Sequence, residues 1–374
     1  MKLSPGQSMN ADRHIPRVLV VAPSPEARGG IASVVHLHMK MSVWREMRCR
    51  LLPTYFDGSA SKKISSAAFA YARAPFAVGI ADLVHIHVAG ESSLLRKLPI
   101  VGVARLFRKP LIVHVHAHST ASLFDKTPAW AVRYVLGGAD RVIALSESWA
   151  REIRGRLPDA YVEVIPNPVN SCVTGGESRP RKRAVLFAGK LEPRKGYDLL
   201  LDAAPAVLAR HPEVEFWFAG HGELDRASAK AEQLGISSSV RLLGWTDQEA
   251  LSQLYREALV FCLPSYNEGV PMAVLEAMSN ATPVVCTPVG GLPQVITDGH
   301  NGLFCSVGDP VSIAEKLNLL LDDSALADRV AVEAQRTAVH SNGRDIVEAR
   351  LRNLWLRLSR HSDAPFAAEL EPDR

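Results

Sequence analysis

The sequence predicts an α/β protein built as two doubly wound parallel-sheet domains that face a central cleft. Three observations predict it. At 374 residues with 47% apolar content, the chain is too long for one ordinary domain and rich enough for two cores. Short apolar runs alternate with longer amphipathic runs along its whole length, the pattern of parallel strands covered by helices. A stretch dense in proline, glycine, serine and charge, PNPVNSCVTGGESRPRKR, divides the chain near its middle and reads as a connection.

Residues 1–14 lack the apolar core of a secretory signal and read as a disordered leader. In the first domain, 15–170, the strand candidates are 17–21, 48–53, 82–87, 110–115, 141–144 and 161–165. After a linker at 171–182, the second domain at 183–360 offers 183–188, 214–219, 240–243, 259–263, 283–286 and 302–305, followed by terminal helices. Thr246-x-x-Glu249 has the form of a capping box, and Asp322-Asp323 reads as a cap between helices. Residues 361–374 read as a flexible tail. In such a fold a ligand sits at the carboxyl ends of the strands, between the domains.

Charge is unevenly spread. Residues 1–170 carry 22 Lys+Arg against 12 Asp+Glu, and residues 171–374 carry 21 against 27. The basic first half suits an anionic partner, a bilayer surface or a phosphate-bearing acceptor. Nucleic acid is not expected, because the basic residues are not interleaved with aromatics and no nucleic-acid motif appears. No run approaches the roughly 18 apolar residues of a membrane span. The five cysteines form no CxxC pair, which fits a reducing cytoplasm. The segment 94–110, LLRKLPIVGVARLFRKP, reads as a basic amphipathic helix able to rest on an anionic leaflet.

The most informative stretch is LVFCLPSYNEGVPMAVLEAMS. A strand ends at Leu263, a polar loop succeeds it, and a helix begins near Pro271, where a missing N–H has no cost. The free N–H groups of that helix start, around Gly269, Val270 and Pro271, make a seat for a diphosphate. Glu268 in the loop and Glu276 in the helix are spaced so that one carboxylate reaches a sugar and the other a ribose, each accepting two hydroxyls. In AGKLEPRKGYDLLL, Lys190 and Lys195 stand in a loop before a helix, where two cations neutralise a diphosphate and its leaving charge. Arg28, Gly29 and Gly30 form a similar loop before a helix in the first half. Gly220-His221-Gly222-Glu223 is a glycine turn at a strand end but no GxGxxG fingerprint, since Asp225 fills the third glycine's position. His85 and His87 alternate along one candidate strand, and His114 and His116 along the next. No carboxylate or cysteine stands at ligand spacing beside them, so no metal is expected.

Glu268-GVPMAVL-Glu276-AM resembles the hallmark of retaining glycosyltransferases of family 4. The stretch ATPVVCTPVGGLPQVITDGHNGLF, from 281 to 304, resembles the segment downstream of that hallmark in the same family. The resemblance runs over most of the chain and implies a GT-B architecture of two Rossmann-like domains. By motif position it gives Lys190 and Lys195, with Gly30, to the donor diphosphate and Glu276 to the ribose. It makes His116 and Glu268 the catalytic pair, His116 positioning the reacting centre, and puts Arg28, Gly29 and His118 on the acceptor side. Ala117 departs from the glycine that usually succeeds that histidine. The implied activity moves a hexose-type sugar from a GDP- or UDP-linked donor to a glycan or polyprenyl-diphosphate-linked acceptor in surface polysaccharide synthesis. It needs no cofactor or metal, which agrees with the lack of an Asp-x-Asp motif. The expected location is the cytoplasm, with peripheral attachment at the inner membrane face left open. A sugar-nucleotide epimerase of the same fold and a non-catalytic nucleotide-sugar-binding subunit remain as alternatives.

Overall fold

The computed structural model describes residues 15–117, 120–170 and 181–360. The expected leader and tail, and all of the linker but its last two residues, lie outside them. Among the described residues twelve strands form two six-stranded sheets. The first holds β1 (Val18–Ala22), β2 (Arg50–Pro53), β3 (Leu83–Val88), β4 (Leu111–Val115), β5 (Arg141–Ala144) and β6 (Val162–Val164), ordered β2-β1-β3-β4-β5-β6. The second holds β7 (Lys182–Ala188), β8 (Glu215–Ala219), β9 (Val240–Gly244), β10 (Ala258–Leu263), β11 (Val284–Cys286) and β12 (Leu303–Phe304), ordered β12-β11-β10-β7-β8-β9. All neighbouring strands pair in parallel. Each strand falls within two or three residues of its predicted place, because the inner strands, covered by helices on both faces, read as nearly continuous apolar runs. β1, VLVVA, is buried at every position.

Strand order reverses between β1 and β3 in the first sheet and between β7 and β10 in the second. The loops that leave β1, β7 and β10 diverge at these switch points and open a crevice at each sheet's carboxyl edge. The loops carrying Arg28–Gly30, Lys190–Lys195 and Glu268–Pro271 are the ones placed there.

The last helix departs from expectation. Arg344–Arg360 does not cover the second sheet, where the terminal helices were expected. Val347, Leu351, Leu354, Trp355 and Leu358 form one stripe that packs on Val18, Val20, Leu83, Ile112 and Ile143 of the first sheet. Trp355 is among the largest fully buried side chains, so truncating it to alanine costs about 3–5 kcal/mol. The chain crosses back beside the linker, where Val169 N–H donates to Asn342 O at 2.8 Å and Arg344 N–H to Val169 O at 3.1 Å.

Three local readings need correction. The helix Gln248–Glu257 is capped by Asp247, whose carboxylate accepts from Ala250 N–H at 2.9 Å; Thr246 instead donates to Gly244 O. A carboxylate one residue later outcompetes the hydroxyl because its charge also complements the helix dipole. Pro271 is the N-cap of the helix Met272–Ser279, not its first residue. The single helix expected over 94–110 is two, Glu91–Leu95 and Leu98–Leu106, broken at Arg96 and Lys97 with Pro99 opening the second. Asp323 does cap the helix Ser324–Asn342, accepting from Leu326 N–H at 2.9 Å.

Candidate active site

A cavity of about 570 Å³ lies between the two sheets. Arg28, Gly29, Gly30, His116, Lys190, Lys195, Glu268, Gly269, Val270, Pro271 and Glu276 all line it. His118 lies outside the described residues. Two helices begin at this cavity from opposite sides, Gly30–Met39 and Met272–Ser279, and they touch through Val34, Leu37 and Met272.

Glu268 is buried, 2% exposed. It accepts from Lys195 Nζ and from Ser265 Oγ at 2.9 Å, and Arg194 Nη1 stands 3.6 Å away. An isolated buried carboxylate is costly, so the ammonium and hydroxyl are what keep it there. The loops after β7 and β10 are locked together. Tyr266 N–H donates to Arg194 O at 2.9 Å, and Arg194 Nη1 donates to Asn267 O at 2.8 Å. Gly196, at φ 70°, lies where a β-carbon would stand 2.1 Å from Pro264 O. That close approach accounts for the Lys-Gly pair at 195–196.

Lys190 pairs with Glu192 at 2.8 Å, and Arg194 with the same carboxylate at 2.7 Å. Burial alone would raise the Glu192 carboxyl, but hydrogen bonds and charge from Lys190 and Arg194 outweigh it and hold it low. Glu192 therefore orients both cations, a part that no sequence pattern signals. Glu276 behaves differently. Burial pushes its carboxyl up to about 7, and the Tyr255 hydroxyl, donating at 3.2 Å, offsets only part of that. It faces the cavity with no cation on it among the hydrogen bonds and ion pairs described.

The Gly220–Gly222 turn serves the protein's own backbone as much as any ligand. A β-carbon on Gly220 would lie 1.7 Å from Gly189 O, and one on Gly222, at φ 126°, 2.3 Å from Leu191 O. These glycines let the loop holding Lys190 sit flush against β8. Sequence reasoning also passed over Gly290 and Gly291. A β-carbon on Gly290, at φ 60°, would lie 1.7 Å from Glu268 O, and Gly291 N–H donates to Gly269 O at 2.8 Å. The pair was visible as the VGG of the 281–304 stretch, but nothing local tells that it lies beneath Glu268.

The two halves meet at the same place. Gly269 abuts Ala117 O and the Trp149 ring, each 2.9 Å from where its β-carbon would be. Asn167, read as linker, is buried; it donates to Val270 O at 3.0 Å while Asn342 Nδ2 donates to Asn167 O at 2.9 Å. Ser148 N–H reaches Gln294 Oε1 at 3.2 Å, and Arg28 lies 5.6 Å from the centre of the Trp245 ring.

His116 ends a column of buried imidazoles. It hydrogen-bonds His87 at 2.9 Å, and its ring lies 4.1 Å from that of His114. His85 and His87 are stacked at 4.7 Å, and His38 joins from the helix Gly30–Met39. Burial drives His116 down to about 3 and His38 to about 4, and holds His85, His87 and His114 well below the ordinary 6.5. His85, His87 and His114 each place a ring nitrogen within 4.8 Å of the others. His85 Nδ1, however, accepts the Trp355 indole N–H at 3.2 Å, so the neutral ring carries its proton on Nε2. With that bond in place the trio does not offer three lone pairs.

Known proteins divide along the same line. Residues 17–171 match the family described as Glycosyltransferase Family 4, and residues 175–337 match Glycosyl transferases group 1. A D-inositol 3-phosphate glycosyltransferase of Streptomyces bingchenggensis is 30% identical over 70% of this chain and 63% of its own length. A phosphatidyl-myo-inositol mannosyltransferase of Mycobacterium leprae is 29% identical over 82% of each chain. Among solved structures, Anabaena HepE in complex with UDP-glucose superposes with a TM-score of 0.73 at 18% identity, covering 91% of this chain and 99% of the other. Sucrose-phosphate synthase from Thermosynechococcus elongatus gives 0.72 at 18%, covering 92% and 99%.

Proposed function

Because this chain belongs to glycosyltransferase family 4 and has the GT-B fold, we propose that it moves a hexose-type sugar from a nucleoside diphosphate to a glycan or lipid-linked acceptor, with retention and without a divalent ion. One observation carries the reading. Lys195 and Arg194 converge on the buried Glu268 immediately ahead of the helix Met272–Ser279, inside the cleft. A donor diphosphate laid against that helix start gains its N–H groups and partial positive charge. Lys190 and Lys195 then meet the charge that grows as the phosphate leaves. Glu268 accepts from hydroxyls of the sugar. Glu276, whose carboxyl burial pushes up to about 7, is drawn toward its ionised form when two ribose hydroxyls donate to it. His116, held neutral by burial and tied through Nε2 to His87, lines the cleft and packs its ring against the reacting centre without adding charge there. In a same-face attack the acceptor oxygen bonds to the anomeric carbon, the bond to phosphate breaks, and the phosphate oxygen takes the acceptor's proton.

The first domain supports attachment to an anionic leaflet. Phe69, Phe76 and Leu106 are 61%, 72% and 80% exposed, on two helices that pack together and carry Arg73, Arg105, Arg108 and Lys109 on or just beyond them. No helix among the described residues is long and apolar enough to cross a membrane. The decisive experiment is a thermal-shift screen of UDP, GDP and their sugars with excess chelator. Proton NMR of the product then reads the anomeric configuration. Stabilisation by no nucleotide, an inverted product, or strict dependence on added manganese or magnesium would each overturn the corresponding part.

A further inference from the structure

The wall that the first sheet gives to the cleft carries cations, Arg96, Lys97 and Lys63, for which no ion pair is described. Arg96 lines the cavity together with Ser93 and Tyr55. Its Nε is buried and has no hydrogen-bond partner, and its guanidinium stands 5.6 Å from the centre of the Tyr55 ring. Lys63 approaches the same ring at 5.7 Å. Behind Arg96, Lys97 is 0% exposed, and its described hydrogen bond is to a neutral acceptor, Ser93 Oγ, at 3.1 Å. Burial, with Arg96 adding to it, lowers the Lys97 ammonium to about 7. The Asp57 carboxylate on this wall turns its oxygens to neutral donors and not to Arg96: Oδ1 accepts the Tyr55 hydroxyl at 3.1 Å, and Oδ2 accepts the Arg28 backbone N–H.

An unpaired cation taken out of water is expensive, and a guanidinium with a buried, unused N–H more so. A fold keeps such groups facing a cavity where an anion arrives to complete them. The donor's diphosphate already has its own partners on the other wall. The planar fork of arginine matches phosphate in particular. We infer that Arg96, backed by Lys97 and Ser93, seats a phosphate ester carried by the acceptor. The inference rests on the glycosyltransferase reading above and narrows its acceptor to a phosphorylated alcohol. The same chemistry is offered by a free sugar or polyol phosphate and by a phospholipid headgroup.

The test uses the full chain saturated with whichever nucleoside diphosphate binds, so that added phosphate cannot take the donor's place. Calorimetric titrations compare myo-inositol 3-phosphate with myo-inositol and glucose 6-phosphate with glucose. A second arm compares phosphatidylinositol vesicles with phosphatidylcholine vesicles. The expected result is at least one phosphate ester bound about ten- to hundredfold more tightly than its parent alcohol, or selective binding of the phosphatidylinositol vesicles. Arg96→Gln should erase that preference and leave nucleotide affinity within about twofold, while Arg96→Lys retains part of it. A phosphate source active only in vesicles assigns the headgroup; one active in solution assigns the free ester. No preference in either arm overturns the inference. So does a preference that survives Arg96→Gln, or loss of nucleotide binding in that variant. Failure of the wild-type chain to bind any nucleotide would instead sink the glycosyltransferase reading itself.

Discussion

Taking this protein from about pH 7.5 to about pH 5.5 asks five buried imidazoles to accept protons that nothing around them can hold. His38, His85, His87, His114 and His116 are each under 9% exposed. The charges acting on them are one another's and that of Lys97, all of which oppose protonation. In the unfolded chain they titrate near 6.5, whereas in the fold His38 sits at about 4, His116 at about 3 and the others well below 6.5. Between those values the unfolded state binds more protons. Stability is therefore full above about pH 6.5 and falls as the pH drops below it, until the folded-state values are reached. One unit below 6.5, each group still neutral in the fold costs roughly 1.4 kcal/mol, so His38 and His116 alone cost about 3 kcal/mol, and His85, His87 and His114 add to it in the same direction. That is a large share of the roughly 5–15 kcal/mol by which a domain is stable at all. Urea unfolding followed by circular dichroism at half-unit pH steps should show midpoints collapsing below about pH 6, with several protons taken up on unfolding. His114→Leu removes two partnerless nitrogens at similar volume. It should leave neutral-pH stability within about 1 kcal/mol and reduce the proton uptake by about one. A midpoint that stays flat between about pH 7 and about pH 5.5, or an uptake below about two protons, would refute this reasoning.

Glu268→Gln and Lys195→Ala should each lower turnover by about two to four orders of magnitude while the folded spectrum is kept; near-normal rates in both would remove the proposed centre. Gly290→Ala forces a β-carbon into the Glu268 carbonyl from a left-handed backbone position. It should cost more than about 2 kcal/mol and abolish activity, and a folded, fully active variant would show that this loop does not set Glu268. Wild-type protein should co-sediment with anionic but not neutral vesicles, less so as salt is raised. Phe69→Ser with Phe76→Ser should weaken that binding without touching nucleotide affinity, and equal binding to both vesicle types would end the membrane reading.

Most of the fold was legible because its signal is local. A strand covered on both faces reads as a largely apolar run, as β1 does, and a succession of such runs with helices between them leaves little else to build. The wall proposed to hold the donor was legible for a related reason. Lys190 and Lys195 share one loop, Glu268 to Glu276 one loop and helix, and the chemistry of each shows within about ten residues of sequence. What the sequence could not show is made by chain segments far apart in number. Glu192 looks like any surface carboxylate until Lys190 and Arg194 close on it. Asn167 sits in a stretch whose composition says linker, and only the arrival of Val270 and Asn342 makes it a buried tie.

The histidines show where local reading stops and packing takes over. Alternation along β3 and β4 put His85 and His87 on one face and His114 and His116 on one face, but not on the same face under a common cover. Parallel pairing sets His87 opposite His114. The helix Gly30–Met39 brings His38, and the helix Arg344–Arg360, returning from the second half, brings Trp355. A face that is Leu83 and Ile112 at its amino end thus becomes imidazole toward the cleft, and only the last ring, His116, reaches the cavity. The neutral imidazoles fill this face as apolar side chains would, and at its cleft end His87 keeps a hydrogen bond for His116. The arrangement can therefore fix His116 from behind without placing a charge next to the proposed diphosphate site. Replacing His87, which holds His116 at 2.9 Å, should for that reason slow turnover more than it weakens nucleotide binding. Were His87→Leu to lose both in equal measure, the column would be packing alone and His116 would owe its position to the backbone bond its N–H makes to Val88 O.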